Sequence, residues 1–199
     1  MEIAAIPLKP FGLAKARLAM VFDAEQREAL GRAVAAHTIE AVSAAVGNAW
    51  VVTGDEEVSE WAEAHGAGVI SEPSSDGGLN AAATSVVEAA EGGRWMIVHA
   101  DLPLVTPEEV RSAWNGIPLN GYLLGPSHDG GTSVFAGSNR PASFAYGSGS
   151  FHSHLAGVRR HPLRVMATTG FLLDLDAPSD YEAAIRHPRG SWLRSAVGR

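Results

Sequence analysis

Apolar positions in this chain come in short continuous runs, and the stretches between them carry a helical spacing. The runs "EIAAIP", "AWVVTG", "AGVIS" and "RWMIVHAD" show almost no polar alternation, as expected of strands covered on both faces. After the first run, Asp23 and Gln26 have the spacing of a capping box. They open a helix that puts Leu30, Val34, Thr38, Ala41, Val42 and Ala45 on one face and closes near Gly47. "DEEVSEWAEAHG" predicts a second helix ended by Gly66, Asn80 to Glu91 a third, and Thr106 with Glu109 caps a fourth that begins "TPEEV". The order β-α-β-α-β-α-β-α predicts an α/β fold, a mostly parallel sheet with helices on both faces.

The second half is less regular. "GYLLG", "TSVFAG", "LRVMA" and "GFLLDLD" have the pattern of strands, "GSFHSHLAGV" of a short helix and "PSDYEAAI" of a last helix. No internal repeat or long linker divides the chain, so one domain over 1–199 is expected, with 187–199 as a polar, arginine-bearing tail.

Composition then narrows the function. A net charge of −7 argues against nucleic acid or an anionic membrane as partner, since both favour a basic face. The absence of cysteine excludes disulfides, thiolate metal sites and thiol catalysis. No apolar run approaches the roughly 18 residues of a membrane span. "MEIAAIPLKP" lacks the layout of a secretory signal, so a soluble, cytoplasmic protein is expected.

Ligands of open α/β sheets bind beyond the carboxyl ends of the strands. That rule selects "IPLKPFGLAKARLA", "EPSSDGGLN", "HADLP", "HDGGTS" and "YGSGSF", where much of the Gly, Ser, Asp and Lys content gathers. Lys9 and Lys15 are the chain's only lysines, and both fall in the first of these loops with Arg17. The loop lacks G-x-G-x-x-G and P-loop spacing. Its ammonium groups suit a polyphosphate, whose leaving pyrophosphate gathers charge; the competing reading is a solvated loop. Asp101, at the end of "WMIVHAD", suits a hard cation such as Mg²⁺ or is a turn residue. Asp174 and Asp176 in "LLDLDAPSD" would point the same way from a strand, or cap the next helix. "GGTS", with Thr132, and Gly147 to Ser150 in "YGSGSF", before a predicted helix, suit an anion or are ordinary turns. His152 and His154 would diverge on a helix. With no H-E-x-x-H motif and no G-x-S-x-G elbow, a histidine zinc site and a serine hydrolase are disfavoured.

Taken in order, "IPLKPFGLAKARLA", "EPSSDGGLNAA", "HADLPLVTPEEV", "GGTSVF", "YGSGSFHSHLA" and "GFLLDLDAPSDY" resemble the phosphoenolpyruvate or 2-phospho-L-lactate guanylyltransferases of deazaflavin coenzyme F-420 biosynthesis. The resemblance runs from about residue 3 to 185. It implies a Rossmann-like nucleotide-diphospho-sugar transferase fold and a Mg²⁺-dependent reaction of GTP with a three-carbon acid phosphate, phosphoenolpyruvate first and 2-phospho-L-lactate next. By the same resemblance Lys9, Lys15, Glu72 and Asn80 bind the nucleotide, and Lys15 and Asp101 are catalytic. Thr132, Gly147 and Ser150 contact the acid phosphate. Asp101 and Asp174 bind the metal, with Asp174 preferred over Asp176. Three departures stand out: Ser133 where the family often has Asn, an "EPSSDGGLN" loop longer than usual, and a slightly rewritten "HDGGTS". The alternatives are a molybdopterin- or sugar-phosphate nucleotidyltransferase of the same fold, or a non-catalytic nucleotide-binding module. A nicotinamide dehydrogenase is disfavoured by the missing glycine fingerprint.

Overall fold

The computed structural model describes residues 1–13, 15–72, 78–141 and 143–198. The first half follows the predicted alternation. Strand β1 (Ile3–Pro7) leads through 3-10 turns to α1 (Ala24–Val46), then β2 (Trp50–Thr53), α2 (Glu56–Ala64), β3 (Gly68–Ser71), α3 (Gly78–Ala89), β4 (Trp95–Val98) and α4 (Pro107–Asn115). The capping boxes at Asp23 with Gln26 and at Thr106 with Glu109 both form. The first helix stops where Gly47 takes a φ of 92°, a value that costs little without a Cβ.

The second half holds β5 (Tyr122–Pro126), β6 (Thr132–Gly137), α5 (Ser150–Val158), β7 (Leu163–Val165), α6 (Thr169–Leu172), α7 (Pro178–Arg186) and α8 (Leu193–Ala196). Among the described residues the sheet has seven strands in the order β3-β2-β1-β4-β6-β5-β7. All pairings are parallel except those of β6, which runs antiparallel to β4 and to β5.

Period-two alternation divides the sheet's two faces. Ala4 and Ile6 of β1 join one core cluster, with residues of α1, α2 and α4. Ile3 and Ala5 join the other, with residues of α3 and α5. Both faces are dry, which explains the continuous apolar runs. A third cluster lies off the sheet, where α1, α7 and α8 bring together Leu18, Leu30, Tyr181, Leu193 and Val197.

Three predicted features differ. "GFLLDLD" is not a strand. Thr168 accepts from Phe171 N at 3.3 Å and starts the short helix α6, while Glu109 accepts from Gly170 N at 3.2 Å. The sheet ends at β7, so Phe171 packs onto the sheet from α6, beside Gly125 of β5, and Leu175 joins the cluster off the sheet. Helix α3 begins at Gly78, two residues before Asn80, whose side-chain amide is bonded to Tyr146, and it ends before Glu91, which takes a φ of 49°. The segment expected as a polar tail carries a 3-10 turn and α8, and its Leu193 is fully buried against α1 and α7.

Candidate active site

Beyond the carboxyl ends of β1 and β4 the sheet opens into a cleft of about 510 Å³. The position follows from topology. Chain order runs outward from β1 to β2 and β3, while β4 lies on the opposite side of β1. The loops after β1 and β4 therefore part and leave a crevice. The antiparallel β6 contributes its beginning rather than its end: Val134 pairs with Val98, and His99 N donates to Ser133 O at 2.9 Å.

One wall carries Lys9 and Lys15 from the loop after β1, Glu72 from the end of β3, and Gly78 and Leu79 at the start of α3. The rest of the "EPSSDGG" loop, 73–77, lies outside the described residues. Lys15 takes a left-handed backbone (φ 59°, ψ 33°) at the start of the 3-10 turn Ala16–Met20, which for a non-glycine residue costs roughly 1–3 kcal/mol. The turn inward buries its side chain to 8% exposure. Its Nζ lies 3.1 Å from Asp101 Oδ2 and 3.9 Å from Asp176 Oδ1, while Arg17 lies 3.6 Å from Asp176 Oδ2. Glu72 Oε1 is buried with no hydrogen-bond partner, and burial raises its pKa against the opposing pull of Lys9.

The acidic wall is Asp101, Asp174 and Asp176. Burial would raise the Asp101 pKa, but the charges of Lys15 and His99 outweigh it and hold the carboxyl below its usual range. Its Oδ1 is buried without a partner. Leu175 N donates to Asp101 O at 2.9 Å, tying the Asp174 segment to the end of β4 without a strand. Burial and then the charges of Asp101 and Asp129 push the Asp174 carboxyl up to about 6, although His128 Nδ1 lies 3.1 Å from its Oδ1.

The third side is built by the start of β6 and the start of α5. Thr132, Tyr146, Gly147 and Ser150 line it. Thr132 and Ser150 are 1% and 2% exposed, and Ser150 Oγ donates to Thr132 Oγ1 at 3.3 Å. Thr132 Oγ1 also lies 3.0 Å from His154 Nδ1, and His154 Nε2 accepts from Ala145 N at 2.9 Å. Ser150 N donates to Gly147 O and Phe151 N to Gly130 O, so the first amides of α5 are committed within the protein. The hydroxyls are left as the polar face of this side.

Of the residues expected at the site, all but Asn80 line the cleft. Asn80 stands behind it and grips Tyr146 on both sides: its Oδ1 accepts from Tyr146 N at 2.8 Å, and its Nδ2 donates to Tyr146 O at 3.4 Å. The sequence reading did not single out His99, whose Nε2 is buried without a partner. It also passed over Asp129, whose Oδ1 accepts from Ser127 Oγ and, at 2.8 Å, from Gly131 N to close the β5–β6 turn. In the sequence His154 stands out only as half of a possible metal pair with His152. Its spacing of four from Ser150 was the available signal, because i and i+4 share a helix face.

Comparison with known proteins gives the family and the fold. The family described as guanylyl transferase CofC like matches residues 2–195. The chain belongs to the CofC-like guanylyltransferase family. A phosphoenolpyruvate guanylyltransferase of Sphaerobacter thermophilus is 34% identical over 196 residues, 93% of each chain. A 2-phospho-L-lactate guanylyltransferase of Methanothermobacter thermautotrophicus is 28% identical, over 96% of this chain and 87% of its own. A 3-phospho-D-glycerate guanylyltransferase of Phenylobacterium zucineum is 33% identical, over 89% and 86%. Among solved structures, a nucleotidyl transferase from Methanothermobacter shares the fold with a TM-score of 0.60 and 17% identity, covering 98% of this chain and 99% of its own. A candidate nucleotide-diphospho-sugar transferase from Desulfovibrio desulfuricans G20 superposes with a TM-score of 0.73 at 16% identity, over 98% and 96%. This guanylyltransferase is thus an α/β nucleotidyltransferase enzyme. Among the described residues no helix is long and apolar enough to cross a membrane.

Proposed function

We propose that this guanylyltransferase joins GTP to a three-carbon acid phosphate, with phosphoenolpyruvate favoured and 2-phospho-L-lactate next, and that it serves deazaflavin coenzyme F-420 biosynthesis in the cytoplasm. The observation that carries this is the division of one cleft into a wall with Lys9 and Lys15, an acidic wall, and a wall with Thr132, Gly147 and Ser150. The acceptor's phosphate oxygen attacks the α-phosphorus of GTP. A new P–O–P bond forms, the bond from the α-phosphorus to the β-phosphate oxygen breaks, and pyrophosphate leaves. The acceptor is already an anion at neutral pH, so no protein nucleophile is required. Lys15 neutralises charge gathering on the leaving group, with Lys9 and Arg17 close by in the same loop.

Mg²⁺ fits the acidic wall. Asp101 Oδ1 is a buried carboxylate oxygen with no partner, and burial, then the charges of Asp101 and Asp129, raise the pKa of Asp174, an effect that a bound cation would offset. Among the described residues no group of three or more acidic or histidine side chains is preassembled around an ion. Asp101 and Asp174 would therefore hold Mg²⁺ with phosphate oxygens completing its shell. The bound ion supplies charge that orients and polarises the reacting phosphate. Glu72, with its free buried oxygen, is the group on the lysine wall that can accept from the N1–H and N2–H donors of guanine.

The test is mass spectrometry of products from GTP and Mg²⁺ with phosphoenolpyruvate, 2-phospho-L-lactate or 3-phosphoglycerate in turn. Pyrophosphate with a diphospho-5′-guanosine adduct is expected from at least one of the first two. Release of pyrophosphate only with a molybdopterin or sugar phosphate would overturn the reading.

A further inference from the structure

We propose that His154, which lies behind the cleft and touches no substrate, sets the polarity of the acceptor side by making Thr132 a hydrogen-bond donor. The inference rests on the guanylyl-transfer reading for the identity of the ligand, but its core is a count of protons and lone pairs in the protein. A backbone amide can only donate. Ala145 N–H points at His154 Nε2 over 2.9 Å, so Nε2 must carry the lone pair and the ring proton must be on Nδ1. The ring stays neutral: burial, with His99 nearby, pushes its pKa down to about 4, and it is 2% exposed. Nδ1–H therefore donates to Thr132 Oγ1 across 3.0 Å.

Ser150 Oγ–H donates to the same Thr132 oxygen at 3.3 Å. Both Thr132 lone pairs are then filled, and its own proton has no acceptor among the described residues. Reversing the Thr132–Ser150 bond changes nothing in the total, because the Ser150 proton is then the one left over. Either way the hydroxyl pair offers one O–H to the cleft, and it does so because the histidine proton has been committed to Thr132. With the opposite tautomer Nδ1 would be an acceptor, Thr132 would spend its proton on it, and the cleft would face lone pairs. Lone pairs repel a carboxylate or phosphate; a spare O–H binds one. The same imidazole also holds Ala145, while Asn80 holds Tyr146, so the backbone leading to Gly147 is fixed from α5 and from α3 together. His154 is thus a positioning residue for the acid-phosphate anion.

Two measurements test it. Nitrogen-15 NMR of the histidine rings in the full-length enzyme should show His154 as the neutral Nδ1–H tautomer at pH 7. The Nε2–H form or an imidazolium would overturn the proposal, whatever the enzyme's reaction. The second is a double-mutant cycle with the acceptor and GTP varied separately. His154→Gln can reach Ala145 but cannot donate at the Nδ1 position. It should lower acceptor kcat/KM about ten- to a hundredfold, the scale of a hydrogen bond to a charged group, and leave the KM for GTP within about twofold. In a Thr132→Val background the same substitution should cost nothing further, and His154→Asn, whose amide nitrogen can take the place of Nδ1, should recover part of the loss. Equal losses with and without the Thr132 hydroxyl would show that His154 acts only on the fold, and the proposal would fall. A wild-type enzyme that binds and guanylates none of the three acids would refute the proposed function instead, leaving the tautomer to be decided by NMR.

Discussion

At the scale of single residues, Lys15 and Asp101 pair with each other across the cleft at 3.1 Å. The proposed reaction has each of them act on substrate or cation. Exchanging Asp101 for Asn keeps the shape and removes the charge, so activity should fall at least about a hundredfold, as when one preorganised electrostatic contact is lost. Circular dichroism should show an intact fold; wild-type turnover at saturating Mg²⁺ would rule out the role. Lys15→Ala should lower kcat more than it raises the KM for GTP, since charge on the leaving pyrophosphate grows as the reaction proceeds. Steady-state kinetics separates this from a ground-state role, in which KM alone would move. Lys9 and Lys15 could be picked out in the sequence because they are the only lysines, and Asp101 because it ends the clearest apolar run. His99 and Asp129 could not, since nothing in a chain's local pattern says which histidine will be buried at a cleft or which aspartate will close a turn beside it.

At the scale of elements, Glu109 shows how one capping residue can tie the region together. Its carboxylate completes the capping box at Thr106 N (3.1 Å), accepts from Gly170 N (3.2 Å) and meets Arg189 Nη1 (3.1 Å). It thereby joins α4, α6 and the 3-10 turn after α7. The capping-box half of this is legible in "TPEE", because it depends on residues three apart. The long-range half is not, and it is the half that converts "GFLLDLD" from an expected strand into a helical turn. Glu109→Ala should cost about 2–3 kcal/mol, as a mostly buried charged acceptor leaves three donors behind. Thr106→Ala should cost only about 1 kcal/mol. Urea denaturation midpoints at constant slope would show the difference, and equal losses would mean that Glu109 acts only as a local cap.

At the scale of the whole molecule, stability and site share the same buried groups. In the native state His154, packed against Tyr146, Phe135 and Phe144 and near His99, has a pKa of about 4, down from 6.5. Between those values the unfolded chain holds more protons than the native one, so this contribution is complete above pH 6.5 and is lost as pH falls through 4. It is worth about 3 kcal/mol. The fall in unfolding free energy over that interval should be smaller in His154→Gln; an unchanged pH profile would show that the ring is not buried neutral. The segment after residue 187 belongs to the same balance: Leu193 is fully buried, so Leu193→Ala should destabilise by about 2–5 kcal/mol, where a free polar tail would give no change in Tm. Sequence alone determined the α/β alternation, the helix caps and the side of the sheet on which chemistry would gather, because each rests on periodicities and contacts within a few residues. Folding decided the rest. The sheet order places β4 beside β1, the antiparallel course of β6 delivers Thr132 by its first residue, and a backbone amide at Ala145 fixes the proton on His154. These depend on which distant segments meet, and no spacing along the chain records that.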